Sequence, residues 1–318
     1  MATAFITGIG GQDGGYLAEA LLADGHQVHG LLREQDRPSG PDAADLTGAH
    51  LHVGDLTDQA GLAALLTEVE PDEIYNLGGI SSVAQSWAQP LATGEVSGLA
   101  VAGLLQSALE LADRLGRRVA VLQAASAEIF GDPAASPQDE DTPLRPLNPY
   151  GAAKAYAHHL VGVYRGRGLA ASSVILYNHE SPRRPAAFVT RKITRAAAEI
   201  ARGQANELAL GNLAARRDWG WAPDYADAMI RAARAEQPGD YVIATGEAHS
   251  VAEFVAAAFA AAGIADWRRY VRVDPAFVRP VDAVELVGNP AKARAELGWA
   301  PTVRFDEVVA RMVRADLG

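Results

Sequence analysis

Four side chains within residues 123–154 could do chemistry together: Ser126, Glu128, Tyr150 and Lys154. Tyr150 and Lys154 are four residues apart, so a helix would set them on one face, one turn apart. An ammonium beside a phenol favours the phenolate, which predicts a lowered tyrosine pKa. A tyrosine tuned that way takes a proton from an alcohol near neutral pH. Tyr-x-x-x-Lys is also an ordinary amphipathic spacing with a solvated lysine, so its meaning depends on the elements around it.

Those elements alternate. Residues 4–7 form a short apolar run that suits a buried strand. Gly8, Gly11 and Gly14 follow, and then an apolar-periodic helix with a glycine stop at Gly25. Strand, glycine loop and helix make a dinucleotide fingerprint, here spaced GxxGxxG. Gly8 and Gly11 would let the backbone approach a pyrophosphate at the helix N-terminus, and Gly14 would let helix and strand pack closely. A second strand over 27–32 ends at Arg33 rather than at an acid, which suits the 2′-phosphate of NADP; NAD is the alternative. Glu34 to Pro41 then form a polar loop. A third strand over 50–53 leads to Asp55 and Leu56, well placed to meet an adenine. A fourth over 73–77 ends in Gly78 and Gly79. A long apolar helix spans 93–115, and a fifth strand spans 118–123. Ser126 and Glu128 follow its carboxyl end, where open α/β sheets bind ligands.

Past the Tyr150 helix, a strand over 171–176 runs into His179 and Arg184. Alternation this far implies a Rossmann-type, doubly wound parallel sheet. The later chain reads as a smaller C-terminal α/β substrate-binding domain. The expected division is 1–177 for the NADP-binding domain with the catalytic residues. Residues 178–318 would mainly bind the substrate, with the chain crossing between the two. Lys192, Arg216, Arg217 and Arg279 could gather as a pocket for a nucleoside diphosphate, since guanidinium forks match phosphate oxygens. Arg216 and Arg217 are expected to pack against Trp219 and Trp221.

Composition bounds the rest. The chain has 318 residues, 49% hydrophobic and 21% charged, enough for a sizeable core. Its 28 basic and 39 acidic residues give a net charge of −11, which argues against a nucleic-acid partner. There is no cysteine, so thiolate chemistry and cysteine metal sites are excluded, and no metal-ligand spacing accompanies His179. No apolar run reaches a membrane span and residues 1–7 lack a signal-peptide pattern. A cytoplasmic protein without a membrane partner is expected.

Specific motifs sharpen this. Thr7 to Leu17 read TGIGGQDGGYL, Asn178 to Arg184 NHESPRR, and Val189 to Ile193 VTRKI. Arg217 to Gly220 read RDWG, and Ile243 to Val251 IATGEAHSV. These motifs span nearly the whole chain. With them the chain resembles the extended short-chain dehydrogenase/reductases that act on nucleotide sugars, and more narrowly the GDP-mannose 4,6-dehydratase family. The resemblance implies a lyase that recycles NADP. Tyr150, helped by Lys154, would take the C4 hydroxyl proton, and Ser126, standing for the family's threonine, would bond the C4 oxygen. Glu128 would take the C5 proton and assist loss of the C6 hydroxyl. By the same resemblance Gln12, Asp13, Leu77, His179 and Arg184 would join Gly8, Gly11, Gly14, Arg33, Asp55, Leu56, Tyr150 and Lys154 around the cofactor. Ser82, Asn178, Val189, Lys192, Gly211, Arg217 and Arg279 would hold a GDP-linked sugar. A homodimer built on the Tyr150 helix and its neighbour is implied.

The chain departs from the family in places. Thr-Ser-Glu is Ser126-Ala127-Glu128, and the alanine pair after the fourth strand is Gly78-Gly79. The arginine-rich loop that helps build the family's tetramer around NADP is replaced by Glu34 to Pro41, which leaves dimer and tetramer both open. Two other functions share part of this pattern. A nucleotide-sugar epimerase or 4-keto reductase shares the tyrosine and lysine but needs no carboxylate at 128. A non-catalytic NADP(H)-binding scaffold needs none of the four residues.

Overall fold

Apolar runs bounded by glycines and polar turns become buried strands, and the amphipathic runs between them cover both faces. The computed structural model describes residues 2–39, 43–277, 281 and 283–318. In chain order the strands are β1 (Thr3–Thr7), β2 (Gln27–Leu32), β3 (His50–Val53), β4 (Glu73–Asn76), β5 (Ala120–Ser126) and β6 (Ala170–Leu176). There follow β7 (Asn178–Glu180), β8 (Leu208–Leu210), β9 (Arg216–Trp221), β10 (Asp240–Ile243), β11 (Ala248–Ser250), β12 (Val271–Val273) and β13 (Glu285–Leu286). Seven strands form one parallel sheet in the order β10-β6-β5-β4-β1-β2-β3. The order reverses between β1 and β4, so the carboxyl ends there open a crevice.

Helices α1 (Gln12–Ala23), α2 (Gln59–Val69), α3 (Val83–Ala88), α4 (Pro90–Gly94), α5 (Ala100–Leu115) and α6 (Pro149–Gly166) come from the first half of the chain. From the second half come α7 (Val189–Ala201), α8 (Ala222–Arg234), α9 (Val251–Ala261), α10 (Ala291–Leu297) and α11 (Phe305–Leu317). Leu17 and Leu21 of α1 share one sheet face with Met229 of α8. Leu62 of α2, Leu104 of α5 and Val161 of α6 cover the other. A separate core joins α7, α9 and α11 around Trp219, Phe254 and Met312.

α8 and β10, both from beyond residue 177, pack with the large sheet, so a cut at that residue would remove its β10 edge. Three expectations change. The long helix expected over 93–115 begins at Pro90 and is interrupted by a π turn at Glu95–Leu99. The run Pro90–Leu115 is also long and apolar enough, by length and composition, to cross a membrane, contrary to the sequence expectation. Half of its most apolar window is buried, and Leu104 and Leu105 spend their apolar surface on the sheet. Lastly, strand alternation in β9 turns Arg216 to the face opposite Arg217, Trp219 and Trp221, so Arg216 is set apart from both tryptophans. Trp219 packs on Phe254 and Phe305, and Trp221 takes Arg311 instead.

β9 is the spine of the smaller lobe: β7 and β13 pair with it parallel and β11 antiparallel. Its Asp218 is fully buried, and burial pushes the carboxyl up to about 6 against four hydrogen bonds. Those come from Thr245 N (2.9 Å), Thr245 Oγ1 (2.7 Å), Gly246 N (2.9 Å) and Gly288 N (3.4 Å). The RDWG and IATGE motifs are thus one hydrogen-bonded unit. Asp218→Ala would leave those donors unpaired and is expected to cost about 3 kcal/mol of stability, read from urea unfolding.

Candidate active site

Ser126 is the last residue of β5, and Glu128 lies in the 3₁₀ turn Ala127–Ile129 that follows it. Ser126 Oγ accepts from Glu128 N at 3.3 Å, and the hydroxyl lies close enough to the Tyr150 phenol to act on its pKa. Tyr150 sits in the first turn of α6, which starts cleanly because Pro149 needs no N–H there and Asn148 caps it. The amide of Asn148 also donates to Glu128 Oε2 at 2.8 Å. A Cβ at Gly151 would lie 2.4 Å from the Glu128 carbonyl oxygen, so glycine lets the helix and the Glu128 turn touch. Asn148 and Gly151 were not singled out from sequence; the Asn-Pro start of a helix was the available signal for the first.

Tyr150 and Lys154 share a face as expected, but the electrostatics run the other way. Burial raises the phenol to about 12, although Ser126 opposes it. Burial also pulls Lys154 down to about 8, with the Asp13 carboxylate opposing. The lysine does not aim its charge at the phenol: Nζ donates to Ala124 O at 2.8 Å and stands 5.9 Å from the Tyr150 ring centre. The lowered tyrosine pKa expected from spacing alone is therefore corrected, because desolvation of the phenolate outweighs the ammonium.

A cavity of about 610 Å³ opens at these side chains. Ser126, Glu128, Tyr150 and Lys154 line it together with Asp13, Leu77, Ser82, His179 and Arg184. Asn178, Val189, Lys192, Gly211 and Arg217 line it as well. Gly8, Gly11, Gln12, Gly14, Arg33, Asp55 and Leu56 do not line it; they gather at the β1–α1 turn and beyond the ends of β2 and β3. A Cβ at Gly14 would meet Gly8 O at 2.4 Å, which gives the third glycine the packing role expected for it. Arg33 Nε is paired with Asp36 Oδ2 at 2.7 Å, and Asp55 Oδ1 accepts from Thr57 N and Oγ1. Arg216 is not in the cavity: its guanidinium pairs with Glu285 (2.9 Å) and Glu253 (3.5 Å) on the outer side of β9. Arg279 lies outside the described residues. Lys192 Nζ stands 3.6 Å over the Phe277 ring and donates to Ala209 O, so Phe277 joins the basic wall without having been anticipated.

The QDG and NHESPRR motifs meet behind this cavity. His179 Nε2 is 2.9 Å from Asp13 Oδ2, its Nδ1 is 2.7 Å from Tyr177 O, and its ring stacks on Tyr225. Ser181 Oγ donates to Gln12 Oε1 at 2.7 Å, and Arg183 grips Glu19 in a two-pronged pair. Burial would raise Asp13, yet His179 holds its carboxyl down at about 2; burial would lower His179, yet Asp13 raises it. Both ring nitrogens of His179 face acceptors, the arrangement that suits an imidazolium beside a carboxylate.

A family model described as GDP-mannose 4,6 dehydratase matches residues 5–312. The chain belongs to the GDP-mannose 4,6-dehydratase family. It is 43% identical over 324 residues to GDP-mannose 4,6 dehydratase 2 of Arabidopsis thaliana, covering 99% of this chain and 86% of that protein. To the human GDP-mannose 4,6 dehydratase it is 42% identical over 340 residues, covering 99% and 91%. Among solved structures it resembles a Thermus thermophilus UDP-glucose 4-epimerase in complex with NAD, with TM-score 0.83, 27% identity and 99% of each chain covered.

The Asp13–His179 pair has a pH signature. The aspartate's contribution is present above its ordinary 3.8 and lost as pH falls toward about 2. The histidine's is present below 6.5 and lost as pH rises through its raised value. Asp13→Asn is expected to lower the thermal midpoint between those limits and to flatten both slopes in a pH series of melting curves.

Proposed function

We infer that this family member converts GDP-mannose into the GDP-linked 4-keto-6-deoxy sugar with NADP recycled in place. The observation that carries this is the Glu128 carboxylate in one cavity with the Ser126 and Tyr150 hydroxyls. An oxidoreductase of this fold needs the hydroxyl pair; a dehydratase needs the carboxylate as well.

The residues suit a dinucleotide. The glycine turn before α1 leaves no side chain between backbone and ligand, and a helix N-terminus favours a pyrophosphate. Arg33, at the carboxyl end of β2, would share its guanidinium between Asp36 and a 2′-phosphate. When bound, NADP supplies the acceptor for the C4 hydride and returns it to C6. Its oxidised ring is a cation, and a nearby cation opposes the burial that holds Tyr150 protonated.

Tyr150 takes the C4 hydroxyl proton while Ser126 bonds the C4 oxygen. The resulting ketone acidifies C5, and Glu128 removes the C5 proton. The C5–H electron pair becomes the C5=C6 π bond, and the C6–O pair leaves with its oxygen. That oxygen takes the proton from Glu128 and departs as water, and the proton Tyr150 took from the C4 hydroxyl goes to C5 as hydride returns to C6, which restores both groups. Lys192 and Arg217 also line the cavity, where their charge would meet the diphosphate and base.

Two outcomes test this reading. Purified protein given GDP-mannose is expected to release a product lighter by one water in mass spectrometry. Glu128→Gln should lose that product by about 100-fold or more while still reducing its nicotinamide; full turnover by this variant would leave an epimerase or 4-keto reductase instead.

The same reading includes a homodimer. Leu91, Leu99, Tyr156 and Val163 are exposed on the adjacent helical run and α6, an apolar patch a second copy would cover. Replacing Leu99 and Val163 together by Glu is expected to give monomers in sedimentation analysis.

A further inference from the structure

Asn148 has two ends, and helix capping uses only one. Its Oδ1 accepts from Gly151 N at 2.8 Å, which satisfies an orphan donor of α6. Ser, Thr or Asp would cap equally well. The other end, Nδ2, donates at 2.8 Å to Oε2 of Glu128, and this contact adds nothing to the helix. Asn148 is buried and does not line the cavity, so it touches the carboxylate from behind and not the ligand.

We propose that Asn148 is a positioning residue for the elimination step, fixing the Glu128 carboxylate in register with Tyr150. This rests on the reading of Glu128 as the group that removes the C5 proton. Glu128 is held at three points. Its N–H is taken by Ser126, its carbonyl rests on Gly151, and its Oε2 is taken by Asn148. Among the described residues no further bond engages Oε1, which leaves that oxygen to carry the proton from C5 to the departing C6 oxygen. The cap makes the arrangement rigid: the amide that aims the base is anchored to the same first turn that carries Tyr150. A charge-assisted bond of this kind sets both where the carboxylate sits and how well it stays there.

The test separates capping from positioning. Asn148→Ser and Asn148→Asp both keep an acceptor for the helix, and both withdraw the amide donor from Glu128. Protein carrying NADP is mixed with GDP-mannose in a single turnover. The near-ultraviolet absorbance of the reduced nicotinamide is followed beside water loss by mass spectrometry. Both variants are expected to melt near the wild type, to reduce the nicotinamide, and to lose water about 10- to 100-fold more slowly. Reduced nicotinamide therefore accumulates. In a Glu128→Gln background, Asn148→Ser should add no further loss. Wild-type rates of water loss in both variants, or a parallel fall in nicotinamide reduction, would overturn the proposal. A wild type that removes no water from GDP-mannose would instead overturn the reading of function on which it rests.

Discussion

The docking of residues 178–184 onto the start of α1 is the constraint on which the site depends. Asp13 and His179 stand 166 residues apart in the chain and form a partly buried ion pair. Gln12 and Glu19 extend that seam to Ser181 and Arg183. Removing one member of such a pair strands a charge, so the seam specifies one relation between the glycine turn and the strand that leads into the smaller lobe. The cavity is the space this relation leaves. Asp13 faces into it as well, where its carboxylate acts on Lys154. One acid therefore fixes the architecture and sets part of the field in which protons move.

That field explains why spacing misled about the tyrosine. Four residues on a helix bring Lys154 beside Tyr150, but they do not say which partner the ammonium will choose. Here a backbone carbonyl at the end of β5 takes it. Both groups are then buried, so the phenol rises and the lysine falls. A site that must take a proton from C4 early and manage another at C5 later gains from a tyrosine whose proton is not lost in the resting state.

Much of the fold was legible because strand ends and glycine turns are local. β2 and β3 fall on the residues their apolar runs mark, and the glycine fingerprint and Tyr150 helix lie where spacing puts them. What was not legible is tertiary. The side to which Arg216 turns depends on Glu253 and Glu285 from other elements. The π turn before α5 seats Gly98 against Ala153 and Tyr156, a contact that only the fold creates. The second use of Asn148 was hidden because its first use already accounts for an asparagine before a proline.

β10 has a consequence for how the chain comes to be made. β6 finds its outer neighbour only when residues 240–243 arrive, paired through Asp240↔Ser173 to Ile243↔Leu176. During synthesis the catalytic half therefore emerges with an apolar edge of Val174 and Ile175 and nothing beside it. An unpaired edge of that kind invites pairing with another chain. The late strand is thus the molecule's own guard against aggregation, and a fragment ending after β6 would be a sticky intermediate, not a smaller enzyme.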